Sequence, residues 1–293
     1  MPAPEPVLPP AAEERRACRN CGETLLGPYC SSCGQEDLDL HRPLKQLAQD
    51  AAGDLLNLDT RLLRTLGPLV FRPGFVIREY LAGRRVRFVP PLKMFLLASV
   101  VFFGLVALLP RATVVVSQGG ETPKSAPQAQ GPRVDFKLPQ REESSWIGRR
   151  LNQGSRKAEK DPQAFGEAVL ANLPRVFFVL LPLFALLLKQ FYRRQDKYYL
   201  DHLIFALYHH AFGFVVLSLL VVVGRPWVPE WLTTTLVPVL CLWFFVYLAL
   251  ALRKVYGGSW WKTVLKLIGL LSIYFFVFVG TLVPLLLVTL WWF

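Results

Sequence analysis

The chain has 293 residues, 53% of them hydrophobic and only 18% charged, with a formal net charge of +12. Soluble domains carry nearer a quarter charged residues, and here the apolar residues come in long blocks rather than at a helical or strand period. That excludes an ordinary soluble globule and indicates membrane spans. In a soluble protein the positive excess would suggest nucleic acid. Here much of it flanks the apolar runs, where it orients helices and meets anionic lipid headgroups, so nucleic acid is not expected as a partner.

Residues 1–17, MPAPEPVLPPAAEERRA, are rich in Pro and Ala and read as a disordered tail. They lack the apolar core of a secretory signal, so the cysteine-rich segment that follows is expected to stay in the reducing cytosol. That segment, 18–36, carries two C-x-x-C-G units, Cys18-Arg-Asn-Cys21-Gly22 and Cys30-Ser-Ser-Cys33-Gly34. Each forms a tight turn that aims two thiolates at one metal. Cys18, Cys21, Cys30 and Cys33 together supply the four ligands of a structural Zn2+ site, with Zn–S distances of about 2.3 Å. The intervening GETLLGPY has room only for a small hairpin turning at Gly27-Pro28, so metal binding would supply the folding energy of this zinc ribbon. Four cysteines leave no open coordination position for a catalytic zinc. Redox dithiols and an iron–sulfur cluster are the alternatives.

Residues 43–91 form a juxtamembrane segment. Leu44, Leu47, Ala51, Leu55, Leu58, Leu62 and Leu66 lie along one helical stripe, predicting an amphipathic helix that Gly67-Pro68 should end. It is expected to pack on its own membrane domain, with membrane-surface lying or self-association as alternatives. Arg72-Pro73-Gly74 is a turn, FVIREYLAGRR a short helix that Gly83 terminates, and Pro90-Pro91 an extended approach to the first span. Arg84, Arg85 and Arg87, beside Phe88, are candidate contacts for lipid headgroups or another anion.

The rest, 92–293, reads as a five-helix membrane domain with spans at about 92–109, 173–188, 203–223, 232–252 and 264–290. A polar connection, 111–172, begins with low-complexity sequence. At its end Asp161-Pro162 marks a helix start that could run on into span two, which Pro174 and Pro182 should kink. Trp260-Trp261 and Trp291-Trp292 bracket span five as interfacial anchors. Lys189, Arg193, Arg194 and Lys197 fill one short loop, and Arg253, Lys254, Lys262 and Lys266 another. The loop between spans three and four holds only Arg225. This asymmetry places the N-terminus and both basic loops in the cytoplasm and the C-terminus outside, in an inner or plasma membrane.

One intramembrane constellation stands out, YLDHLIFALYHH at the start of span three. His202 and His209 are seven residues apart and share a face, with His209 about 10 Å deeper. Asp201, His202, His209 and His210 form a candidate polar site, because ionisable groups at that depth face the bundle interior or a water-filled cavity. They could relay protons, bind a ligand, or bridge helices. Cys241, in span four, reads as a small buried apolar residue. No G-x-S-x-G, H-E-x-x-H or P-loop occurs, and no catalytic residue is assigned.

The CxxCG–CxxCG head, the RPGFVIREYLAGRRVRFVPP collar and the YLDHLIFALYHHAF stretch after PLFALLLKQFYRR together resemble a bacterial family of unknown function, domain of unknown function 3667. The resemblance covers roughly Cys18–Pro110 and Ala164–Phe214. It implies a multipass membrane protein with a small ribbon and brings no established reaction. The expectation is therefore an all-α integral membrane protein of five transmembrane helices with an N-terminal cytoplasmic zinc ribbon. As a non-enzymatic component it would sit in the lipid bilayer, with the ribbon docking a cytosolic protein partner or setting self-association. A small transporter or channel with a His-lined path and a lipid-acting enzyme are the alternatives.

Overall fold

The computed structural model describes residues 16–37, 61–109 and 146–292. Residues 1–15 of the N-terminal tail, Leu44 to Leu58 of the amphipathic stripe, and the low-complexity part of the connection lie outside the described residues. Eight helices are described: α1 Arg61–Phe71, α2 Phe75–Leu81, α3 Pro91–Leu108, α4 Trp146–Lys160, α5 Pro162–Phe191, α6 Tyr199–Val223, α7 Glu230–Tyr256 and α8 Trp260–Trp292. Among the described residues there are only two isolated β-bridges, both in the cysteine segment. Five of the helices, α3, α5, α6, α7 and α8, are long and apolar enough to cross a membrane.

Helix α6 is the hub. It packs on α3, α5 and α7, and at its start on α1 and α2. Phe205, Ala206, Tyr208, Ala211 and Phe212 are wholly enclosed, so every side of its first half is covered by protein. Helix association in lipid gains little from hydrophobicity and relies on close fit and internal hydrogen bonds. Ala98, Ala185, Ala206, Ala211 and Ala251 are the small buried residues of this core. Larger rings fill the spaces between helices, as where Phe212 and Tyr247 stack at 3.7 Å. Helix α8 joins mainly through α5, with Val176, Leu180 and Leu285 at that seam.

Three sequence expectations are corrected. Helix α1 does not end at Gly67-Pro68 but continues to Phe71 with Pro68 inside it. Proline removes only one donor there. Leu69 is fully buried, Arg72 N–H donates to Pro68 O at 3.0 Å, and Trp243 Nε1 donates to Val70 O at 3.3 Å. These contacts hold the last turn in place. Cys241 is exposed rather than buried, on the same outward side of α7 as Leu242 and Phe245. In a membrane chain apolar residues also face lipid.

The polar connection, third, holds a helix before the one that Asp161 caps. Helix α4 docks on the end of α8: Trp146 meets Trp291 edge to face at 5.4 Å, and Arg150 Nε donates to Trp291 O at 3.3 Å. Gly154 sits so close to α8 that a Cβ there would collide with the Leu290 carbonyl. Asp161 does cap α5, its carboxylate accepting from Ala164 N–H at 2.9 Å. Helix α5 then runs unbroken through Pro174 and Pro182.

The collar lies at one end of the bundle, against the start of α6 and the end of α7. Tyr80 contacts Tyr208 edge to face, and a Cβ on Gly74 would lie 3.0 Å from Ala251 Cα. The α5–α6 and α7–α8 loops are at the same end, joined by Tyr192 stacked on Tyr256 at 4.1 Å. The cysteine segment, the collar and the two basic loops therefore share one face of the protein.

Candidate metal centre, collar and intramembrane histidines

The two cysteine turns are built alike. Gly22 N–H donates to Cys18 O and Gly34 N–H to Cys30 O, each at 2.8 Å, while Cys18 N–H and Cys30 N–H reach forward to Glu23 O and Gln35 O. Both glycines have positive φ, +83° and +70°, which folds each turn back on its first cysteine. The result brings all four Sγ atoms within 4.8 Å of one another, with Cys18–Cys33 at 3.6 Å and Cys21–Cys30 at 3.5 Å. A tetrahedron with metal–sulfur bonds of about 2.3 Å has edges of about 3.8 Å. The four cysteines can hold one metal ion.

Their protons are unevenly shared. The hydrogen bond from the Asn20 side chain, acting against desolvation, lowers the Cys33 thiol to about 6. At Cys21 the backbone hydrogen bond at Glu23 lowers the thiol, but desolvation and the sulfurs of Cys30, Cys33 and Cys18 raise it to about 12. A divalent cation would take all four as thiolates.

This segment is anchored to the collar through residues next to the ligands. Gln35, directly after the second turn, is buried; its Nε2 donates to Gly83 O at 2.8 Å, and its Oε1 accepts from Arg85 N–H at 3.1 Å and Val86 N–H at 3.4 Å. In the first turn, Asn20 Oδ1 and Asn20 O accept from Arg87 Nε and Nη2, both at 3.2 Å. Arg19 packs over Gly83, where a Cβ would lie 2.7 Å from Arg19 Cδ. Both cysteine turns thus touch the collar.

The collar passes this contact inward. Val89 is buried outside any helix; Thr65 Oγ1 accepts its N–H at 2.9 Å and Tyr208 Oη donates to its C=O at 2.7 Å. Thr65 in turn donates to Arg61 O at 2.7 Å. The buried Val89 backbone is thereby paired with α1 and α6, as burial requires. Of the three candidate arginines, Arg84 grips Glu79 with two bonds, 2.6 Å and 2.7 Å, and Arg87 holds Asn20. The Arg84 hydrogen bond holds the Glu79 carboxyl below the usual range and keeps the pair ionised. The Arg85 guanidinium lies 5.7 Å from the centre of the Tyr80 ring.

The intramembrane residues do not converge on one point. The Asp201 carboxylate accepts from Tyr198 N–H at 3.0 Å and so closes the start of α6. His202 pairs with α7, its Nδ1 2.7 Å from Tyr256 Oη and its ring stacked on that tyrosine. His210 turns the other way. Its Nδ1 lies 2.8 Å from Ala206 O, and since a carbonyl only accepts, Nδ1 donates; Nε2 then accepts from Tyr274 Oη on α8 at 2.8 Å. His209 is enclosed by Phe184, Phe244 and Tyr247, with 5.9 Å between its ring centre and that of His210. Among the described residues its buried Nδ1 has no hydrogen-bond partner.

Sequence reasoning singled out the four cysteines, which the structure brings together, and the histidines, but not Arg19, Asn20 and Gln35, which seat the ribbon on the collar, nor Thr65, which seats the collar on α1. For Arg19, Asn20 and Gln35 the hint was position, inside or just beyond a cysteine turn; Thr65 had none.

The architecture defines an all-helical multipass membrane protein with a four-cysteine segment at one end that could hold a metal ion. Residues 59–103 match the model of a family described as a protein of unknown function (DUF3667). The match takes in α1, the collar and most of α3; the cysteine segment and the histidine-bearing helix fall outside it. No curated protein and no solved structure matches the chain.

Proposed function

We propose that the chain is a non-enzymatic multipass component of an inner or plasma membrane, whose cytoplasmic ribbon, folded around one structural zinc, docks a cytosolic protein. The observation that carries this reading is the Gln35 anchor. Three hydrogen bonds from one buried side chain hold the ribbon at a set orientation on the bundle. A ribbon fixed on one side and displaying apolar residues on its hairpin is an adaptor. Leu26 is 86% exposed and Tyr29 60%, a large apolar display for so small a unit. The cytoplasmic assignment rests on the cations of the α5–α6 and α7–α8 loops, which share the ribbon's end of the protein.

Leu26→Asp with Tyr29→Asp tests the docking surface. Zinc content and membrane insertion should stay unchanged while proteins that co-purify with the wild-type chain fall at least tenfold. An unchanged partner list removes the docking role. In sealed cells a membrane-impermeant thiol reagent should leave ribbon cysteines of the metal-stripped chain unlabelled; labelling without permeabilisation would reverse the topology.

A further inference from the structure

The collar arginines are largely engaged within the protein, whereas the loops beside them carry cations with no ion pair among the described residues. Lys266 of α8 lies flat over Tyr192, its Nζ 3.9 Å from the ring centre. Tyr192 stacks on Tyr256, and Tyr256 on His202, so one column of rings ties the end of α5, the end of α7 and the start of α6 to α8. Gln195 Nε2 donates to Tyr256 O at 2.5 Å and fixes the α5–α6 loop against this column. Lys262 lies one helical turn before Lys266 on α8, and Arg194 follows Tyr192 by two residues at the end of α5. Three cations therefore gather at the first turns of α8, with Lys266 seated on the ring column. The N–H groups of that helix start favour an anion as well. Asp196 is exposed on the same loop, and Asp201 is already occupied by the Tyr198 N–H.

The surface next to the cations identifies the occupant. Trp261, Leu265 and Ile268 follow one another along the outer face of α8, 86%, 74% and 57% exposed. Tryptophan at the end of a span marks headgroup depth, and the two aliphatic residues below it face acyl chains. Helix α8 also approaches α5 closely here, since a Cβ on Gly269 would lie 3.0 Å from Phe191 Cε1. A phosphate at Lys266 can thus continue into hydrocarbon along Leu265 and Ile268, which a free ion cannot use.

We propose that the seam between the end of α5 and the start of α8 binds one anionic phospholipid, its phosphate held by Arg194, Lys262 and Lys266 and its chains lying on Leu265 and Ile268. The site rests on the membrane-spanning reading of the helices and is independent of the ribbon's partner.

The test uses the full chain in neutral detergent, with bound lipid counted by native mass spectrometry. Phosphatidylglycerol should be retained at one molecule per chain and phosphatidylcholine at least tenfold more weakly. Arg194→Gln with Lys262→Gln, both at exposed positions, should weaken phosphatidylglycerol binding about 30-fold, at roughly one kcal/mol per charge. Arg194→Lys with Lys262→Arg should retain it. Equal binding of the two lipids, or unaltered binding by the charge-removed variant, overturns the site. Inorganic phosphate at matched concentration should leave bound phosphatidylglycerol in place; displacement would mean that the cations select the phosphate alone and would overturn the lipid assignment.

Discussion

Cys30→Ser is expected to strip the purified chain of its bound metal, from about one ion per molecule to a small fraction of that, and to unfold the ribbon while the five long helices stay inserted. Cys30 is 2% exposed and its backbone closes the second cysteine turn, so no other donor can take its place. The ribbon has no core beyond its cysteines, and its only sheet-like pairing is two isolated bridges. Structural zinc contributes roughly 10–16 kcal/mol to such modules, far more than the few contacts present without it. Metal analysis and limited proteolysis of the ribbon read the result. Full loading of the serine variant would refute the four-cysteine site.

Gly74→Leu should be the most damaging single change in the collar. Gly74 has φ +68°, a conformation that costs other residues about 1–2 kcal/mol. Its Cβ would also meet Ala251 Cα at 3.0 Å, Ala251 O at 3.1 Å and Lys254 Cβ at 3.2 Å. Backbone of α7 cannot step aside as a side-chain tip can, and overpacking adds about 1–3 kcal/mol. The collar should lift from α7, lowering the unfolding temperature of the solubilised protein by several degrees or more. Gly67→Ala is the control, because a Cβ there meets open space and should change little. Equal unfolding temperatures for Gly74→Leu and wild type would contradict the packing of the collar on α7.

These two sites show what a sequence conveys and what it withholds. Metal-ligand spacing is local chemistry, so Cys18, Cys21, Cys30 and Cys33 could be recognised from the chain alone, and the structure brings their sulfurs together. Long apolar blocks likewise mark membrane spans, since lipid requires each backbone to satisfy itself within one helix. The stop at Gly83 was legible for the same reason: Ala82, Gly83 and Arg84 N–H groups close the end of α2 on its own carbonyls.

Tertiary partners were not legible. Pro68 looks like an end from its neighbours, and the burial of Leu69 and the bond from Trp243, 173 residues from Val70, show why α1 continues. Helix α4 is short of apolar residues and is recognised by its seat on α8, where Gly154 meets Leu290. Arg84 and Arg87 read as surface charge because nothing local marks Glu79 or Asn20 as their partners. His202 and His209 share a helical face and both meet rings of α7, but His209 is also covered by Phe184 of α5, which nothing local marks as its neighbour. Cys241 was misplaced because apolar character cannot distinguish a lipid-facing position from a buried one.

The central claim is that metal folding of the ribbon sets the conformation of the collar through Gln35. Hydrogen exchange at the Arg85 and Val86 amides tests this most directly, because both donate to Gln35 Oε1. In the zinc-loaded chain these amides should exchange slowly. After chelation they should exchange at least tenfold faster, while the amides of α6 keep their protection. Identical Arg85 and Val86 rates with and without metal would show that the collar holds its shape independently of the ribbon, and would contradict the account.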